Sequence, residues 1–92
     1  MVRLVLASPI ATATRGEREI SLEFEGTLDQ LFAEVTKRYG NGFHSRIYDG
    51  QGTLRRFVNV YVNGEDVRFQ QGLETPLTGN DEVSIVPAVA GG

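Results

Sequence analysis

Residues 56–69 read RFVNVYVNGEDVRF, and this stretch predicts the fold more directly than any other part of the chain. Valine recurs at every second position from 58 to 62, which is typical of a strand with one buried face. Asn63-Gly64 follows. This pair is the strongest short hairpin signal, because both central residues of a type I′ turn need positive φ. The run Glu65–Phe69 would then lie antiparallel to the first strand, so the stretch predicts a hairpin.

Two strands and a helix are predicted upstream of the hairpin. Apolar residues alternate from Val2 to Leu6 and again from Glu19 to Glu25, as in strands with one face on a core. The apolar spacing then becomes helical, and Thr27 with Gln30 three residues later forms a capping-box pattern. Gly40 suits the end of such a helix. We therefore predict a helix from Thr27 to Tyr39.

The remaining segments complete the predicted architecture. Asn41–Leu54 shows no sustained period and is predicted to be irregular, with at most one short helical turn. Gly72–Asp81 is a polar crossing, and Glu82–Pro87 is the last predicted strand. The order predicts an α+β fold of the β-grasp, ubiquitin-like type, with about five strands in a mixed sheet packed on one main helix. Residues 1–87 would form this domain, and residues 88–92 a flexible tail.

Composition excludes several classes of function. The 92 residues contain no cysteine, so neither a disulfide framework nor a thiol nucleophile is possible, and a cytoplasmic location is expected. A net charge of −3 argues against binding to nucleic acid, which requires a positive field. No apolar run is long enough to span a bilayer, so we expect no membrane partner.

Side chains that could support catalysis do not form a recognisable pattern. His44 is the only histidine and lies in the irregular connection, where a solvated or locally bonded side chain is the simpler interpretation. Glu65 and Asp66 follow a hairpin turn, where exposed acids are ordinary. The glycines at 40, 42, 50 and 52 do not match a phosphate-binding fingerprint. We therefore predict no catalytic residue and no metal site.

The C-terminus carries the one chemically distinctive pattern. The last five residues are Ala88, Val89, Ala90, Gly91 and Gly92. Two terminal glycines occur by chance in about 0.5% of chains at average glycine usage. Fully extended, five residues reach roughly 17 Å, enough to enter a deep pocket of a partner. A glycine carboxylate could react there after activation, although a tail with no role is an equally good interpretation of this pattern alone.

Two segments closely resemble a known family. These are residues 56–69 and the run GNDEVSIVPAVAGG at 79–92. They resemble the ThiS/MoaD-type ubiquitin-like sulfur carriers, which include the small subunit of molybdopterin synthase and the thiamine-pathway carrier. Within that family, they look most like the carrier of bacterial cysteine biosynthesis. The first half of the chain agrees only in its pattern of two strands and a helix.

The resemblance implies a reaction cycle centred on Gly92. An activating enzyme related to ubiquitin E1 would use ATP and Mg to adenylate the Gly92 carboxylate, and sulfur would then replace the adenylate to give a thiocarboxylate. In the cysteine pathway, a pyridoxal-phosphate synthase would take the sulfur and a metalloprotease would trim the tail. The carrier itself would be no enzyme and would bind no cofactor.

A docking face follows from the side-chain parity of the predicted strand. If Val58 and Val60 face the core, then Phe57, Asn59 and Tyr61 point to the other side of the sheet. Two aromatic side chains on an open sheet face suit partner recognition. We therefore predict Phe57 and Tyr61 as docking residues; the alternative is that a loop or the C-terminal segment of the chain covers them.

Three other functions fit the same residues. The chain could be the small subunit of molybdopterin synthase, which would copurify with the large subunit. It could be a protein modifier that forms an isopeptide bond through Gly92 to target lysines, and this would give conjugates of higher mass. It could also be an interaction module with an idle tail, whose function would survive deletion of Gly91 and Gly92.

Overall fold

The structure, a computed structural model, describes residues 1–87. The strands are β1 (Val2–Leu6), β2 (Glu19–Leu22), β3 (Gly26–Thr27), β4 (Val58–Val62), β5 (Glu65–Asp66), β6 (Pro76–Leu77) and β7 (Glu82–Pro87). The α-helices are α1 (Ser8–Ala11), α2 (Leu28–Tyr39) and α3 (Asn41–Ile47). Short 3-10 turns cover Thr12–Thr14, Val67–Phe69 and Gly72–Glu74.

The predicted mixed five-stranded sheet is confirmed. Its strand order is β2-β1-β7-β4-β5, and β1 runs parallel to β7 while the other neighbours are antiparallel. The C-terminal strand thus lies in the middle of the sheet, between β1 and β4. A separate antiparallel pair joins β3 to β6, and β6 lies within the connection from residue 72 to residue 81. This arrangement is the β-grasp fold.

Helix α2 covers one face of the sheet and begins and ends where the sequence predicts. The capping box is present, because the Gln30 amide donates to Thr27 Oγ1 at 3.2 Å and the Thr27 amide donates to Gln30 Oε1 at 2.9 Å. Gly40 follows the helix with a φ of 92°. The apolar stripe of α2 is fully buried against alternate residues of the strands; it comprises Leu28, Leu31, Phe32 and Val35.

Replacing Thr27 by alanine is expected to lower the free energy of unfolding by about 1 kcal/mol, because the side-chain half of the capping box is lost. Urea denaturation measures this change. Thr78→Ala is the matched control, since the Thr78 hydroxyl makes no hydrogen bond within residues 1–87. Equal stability of the two variants would contradict a role for the cap.

The hairpin prediction is confirmed at its turn but not along its second strand. Asn63 and Gly64 have φ values of 52° and 86°, as a type I′ turn requires. Strand β5, however, ends at Asp66 rather than continuing to Phe69. The Asp66 carboxylate accepts a hydrogen bond from the Arg68 amide at 2.9 Å, which turns the chain into a 3-10 helix.

The predicted strand Glu19–Glu25 is also too long, because β2 ends at Leu22. Leu22 pairs with Val2, the first residue of β1, so β1 has no residue left to pair with Glu23. Upstream, Ser8-Pro9 follows the end of β1 and opens helix α1, with proline in its first turn. This short helix buries Ile10 and Ala11.

The prediction for Asn41–Leu54 was wrong, because the segment begins with the two-turn helix α3. Phe43 and Ile47 lie four residues apart on one face of α3, and both are fully buried. The Phe43 ring meets the Phe32 ring of α2 edge-on, with 6.0 Å between centroids. Packing against α2 therefore stabilises a helix that Gly42 would disfavour in isolation.

Candidate functional site

The predicted modification site, Gly92, lies outside the described residues. The same holds for the other predicted tail residues, which are Ala88, Val89, Ala90 and Gly91. The structure does define the point from which these residues extend. That point is Pro87, the last residue of β7, which pairs with Val58 of β4.

Strand β7 holds the base of the tail firmly. The Ala7 amide donates to the Ile85 carbonyl at 3.0 Å, and pairing between β1 and β7 reaches no further than Leu6 with Ile85. Val86 and Pro87 therefore extend beyond β1 and pair with β4 alone. Proline has no N–H to continue a ladder, so it suits the end of a strand.

A groove of about 540 Å³ opens beside Pro87. Its walls come from α1, from α3 and from the segment that leads into β4. The residues that line it are Pro9, Ile10, Gly42, Ser45, Arg46, Arg55, Phe57, Val58 and Pro87. We call this feature the tail-base groove. Its lining is apolar apart from Ser45 and the two arginines, and it includes no acidic residue.

Both arginines of the tail-base groove are held by a neighbouring oxygen. Arg46 Nη2 donates to Thr12 Oγ1 at 2.7 Å, and Arg55 Nε donates to the Ser45 carbonyl at 2.9 Å. Neither guanidinium forms an ion pair within residues 1–87. A guanidinium has five N–H donors, so each arginine keeps donors for an incoming anion.

The connection between α3 and β4 fixes the position of Arg55. Burial, followed by the hydrogen bond to Asp29 at 2.6 Å, raises the pKa of Tyr48, so its hydroxyl stays protonated and donates. Backbone amides of Thr53 and then Gln51 lower the pKa of Asp49 by donating to its carboxylate. These contacts hold residues 48–53, and the Arg55 amide then donates to the Ile47 carbonyl at 2.9 Å.

The parity predicted for β4 is confirmed, but the two predicted docking residues lie apart. Val58 and Val60 are buried, whereas Phe57 is 59% exposed and Tyr61 is partly exposed. Phe57 and Tyr61 are four positions apart, which in extended chain corresponds to about 13 Å. Phe57 lines the tail-base groove, while Tyr61 lies opposite Ser84 on the open face of the sheet.

The most exposed large apolar side chain of residues 1–87 was not predicted as a docking residue. It is Phe69, which is 88% exposed at the end of the 3-10 turn after β5. The interpretation of Glu65–Phe69 as one strand hid this exposure. No sequence pattern indicates that Arg46 and Arg55 lie beside Pro87, because helix α3, the connection before β4 and the end of β7 meet only in the folded domain.

Other residues considered for chemistry have ordinary structural roles. The His44 ring stacks on Tyr48 with 4.5 Å between centroids, and Asp66 forms an ion pair with Arg68 at 3.9 Å. Within residues 1–87, no group of three or more histidine and acidic side chains could hold a metal ion. None of the helices in that part of the chain has the length and apolar character needed to cross a membrane.

Comparisons with known proteins extend over nearly the whole chain. The chain is 43% identical over 81 residues to the sulfur carrier protein CysO of Mycobacterium tuberculosis, covering 86% of this chain and 85% of the relative. It is 32% identical over 68 residues to small archaeal modifier protein 3 of Haloferax volcanii, covering 74% and 72% of the two chains. These relatives are named as a carrier and a modifier.

Solved structures give the same result. A chain in the crystal structure of the Amycolatopsis orientalis BexX/CysO complex matches with a TM-score of 0.87 and 37% identity, covering 100% of both chains. The model of the ThiS family matches residues 4–92, which include both terminal glycines. The chain therefore belongs to the ThiS family, whose resemblance was evident in residues 56–69 and 79–92.

Proposed function

We propose that this chain carries sulfur as a thiocarboxylate on Gly92 and donates it for cysteine biosynthesis. The observation that carries the proposal is the family match through residue 92, which includes the terminal diglycine. The CysO relative at 43% identity supports the sulfur-carrier role and the choice of pathway. Pro87, after which the predicted tail begins, is the last residue of the central strand β7. This fixed starting point supports presentation of the Gly92 carboxylate to a partner enzyme.

The chemistry requires activation, because a carboxylate is a poor electrophile. In the proposed cycle, the Gly92 carboxylate attacks the α-phosphate of ATP, and pyrophosphate leaves. Sulfide (HS⁻) then attacks the acyl carbon of the adenylate, and AMP and a proton leave, so that sulfur replaces one carboxylate oxygen. An E1-like enzyme would hold ATP and Mg, and the carrier would supply only its C-terminal carboxylate.

The acceptor in this proposal is a pyridoxal-phosphate cysteine synthase. A metalloprotease would then release the new cysteine from Gly92, and the cycle would take place in the cytoplasm. If the chain instead served as the small subunit of molybdopterin synthase, it would copurify with the large subunit in a stable complex. Identifying the protein that copurifies with a tagged carrier from its host would distinguish the cysteine synthase from the large subunit.

Intact mass spectrometry tests the proposal. The chain is incubated with host lysate, ATP, Mg and a sulfur source, and its mass is compared with that of a sample without ATP. An ATP-dependent species in which sulfur has replaced one oxygen is expected. If only the unmodified mass is found with ATP present, the carrier proposal is wrong.

A protein modifier is the second candidate, because the Haloferax volcanii relative is named as one. In this case, the activated Gly92 would form an isopeptide bond with a lysine of another protein. Immunoblots of host lysate would show bands of higher mass, and these bands would vanish on deletion of Gly92. Conjugates and thiocarboxylate can be measured in the same samples.

Serine substitutions at Phe57 and Tyr61 test the proposed docking residues. Each change removes an aromatic contact from a face of the domain that reaches solvent. We expect each variant to raise the KM of the activating enzyme for the carrier by about tenfold, which corresponds to about 1.4 kcal/mol of lost binding. Phe69→Ser is the control for loss of an exposed ring, and an equal effect of all three changes would contradict a specific role for Phe57 and Tyr61.

A further inference from the structure

The tail-base groove combines apolar walls with two guanidinium groups. Pro9, Phe57 and Pro87 supply apolar surface, and Arg46 and Arg55 supply positive charge. The chain as a whole has a net charge of −3, so this local charge is opposite in sign to that of the molecule. Within residues 1–87, the three ion pairs of the structure involve neither Arg46 nor Arg55.

The groove lies where a tail-binding enzyme must approach. Five residues follow Pro87, and covalent geometry limits their span to roughly 17 Å. An enzyme that holds the Gly92 carboxylate in its active site therefore brings its surface close to Pro87. Because Pro87 lines the same groove as Arg46 and Arg55, both arginines lie within reach of the rim of that active site.

Charge and shape together favour one kind of occupant. Aspartate and glutamate carboxylates accept paired N–H bonds from guanidinium groups. An apolar side chain can pack against Pro9, Phe57 and Pro87. A segment that carries acidic residues beside an apolar one satisfies both features. A nucleotide would also contact the arginines, and its binding would change the KM for ATP rather than the KM for the carrier.

We propose that the tail-base groove binds an acidic segment, containing an apolar anchor, of the enzyme that activates the tail. This inference rests on the proposed function, because it takes the activating enzyme as the partner. The groove would contribute to docking and to the rate of encounter, while the chemistry takes place at Gly92. Contacts of this kind change KM and its salt dependence more than they change kcat.

Charge reversal at both arginines tests the proposal. Arg46→Glu/Arg55→Glu is compared with Arg18→Glu/Arg38→Glu, which changes the net charge equally at two exposed arginines outside the groove lining. The assay measures thiocarboxylate formation by the purified activating enzyme at several carrier and ATP concentrations, at low and high salt. We expect about a tenfold rise in the KM for the groove variant at low salt, little change in kcat and little effect in the control.

Two further samples make the outcomes distinct. Arg46→Gln/Arg55→Gln removes the charges while preserving much of the side-chain volume, and a smaller rise in KM is expected than with glutamate. Circular dichroism establishes that each variant is folded. Equal KM values for the groove and control variants, or a rise in the KM for ATP alone, would overturn the acidic-segment proposal. A lack of product from the wild-type carrier would instead contradict the proposed function.

Discussion

A chain without Gly92 is expected to form no detectable thiocarboxylate under conditions where the full chain is converted. The deletion leaves a carboxylate on Gly91, set back by about 3.5 Å along an extended tail. Misplacement of a reacting group by about 1 Å can slow a reaction by about 100-fold, so a shift of this size should stop activation. Intact mass spectrometry of both chains after the same incubation measures the result.

Two controls separate the set-back of the carboxylate from unfolding and from a steric change at the end of the tail. The described core lies between Val2 and Ile85, so the deletion is expected to change the free energy of unfolding by less than about 0.5 kcal/mol. Gly91→Ala keeps the length and the terminal carboxylate but adds a β-carbon to the narrow tip. It should be converted more slowly than the full chain, yet measurably. Full conversion of the chain without Gly92 would place the sulfur elsewhere and contradict the proposed cycle.

Phe32→Ala is expected to lower the free energy of unfolding by about 3–5 kcal/mol. Phe32 is fully buried on α2, and its ring meets Phe43 and Tyr48 edge-on at centroid distances of 6.0 and 6.2 Å. Removing the ring opens a cavity between α2, α3 and the sheet. Since small domains are stable by about 5–15 kcal/mol, urea denaturation should show a large shift of the midpoint.

Phe69→Ala is the matched control for the loss of a phenylalanine ring. Phe69 is 88% exposed, so its removal should change the free energy of unfolding by no more than about 0.5 kcal/mol. Similar losses for the two variants would contradict the assignment of Phe32 to the core. Comparing the Phe32→Ala/Phe43→Ala double variant with the two single variants measures the coupling between α2 and α3.

Local signals explain the parts of the fold that the sequence predicted well. The Asn63-Gly64 turn and the Thr27/Gln30 capping box depend on a few neighbouring residues, and both are present in the structure. Helix α3 carries no comparable signal. Its apolar face consists of only Phe43 and Ile47, and Gly42 lowers its intrinsic helix propensity, so the helix depends on packing that no local pattern reveals.

Some features of the candidate site could likewise be predicted from local sequence, and others could not. The terminal glycines are conspicuous in the sequence, and so is the alternation that turns Tyr61 away from the core. The tail-base groove is different, because Pro9, Arg46 and Pro87 are far apart in the chain and meet only after β7 inserts between β1 and β4. Parity also could not show that Phe57, just outside β4, lines this groove.

The central position of β7 has a consequence for synthesis on the ribosome. Leu4 pairs with Val83, so the contact that joins β1 to the rest of the sheet spans most of the chain. Until residues 82–87 leave the exit tunnel, β1 and β4 each have an edge whose N–H and C=O groups lack the β7 partner. Unpaired strand edges of this kind promote aggregation. Such long-range pairing also makes folding slow for a domain of this size. The nascent chain therefore depends on its last strand to become a folded domain.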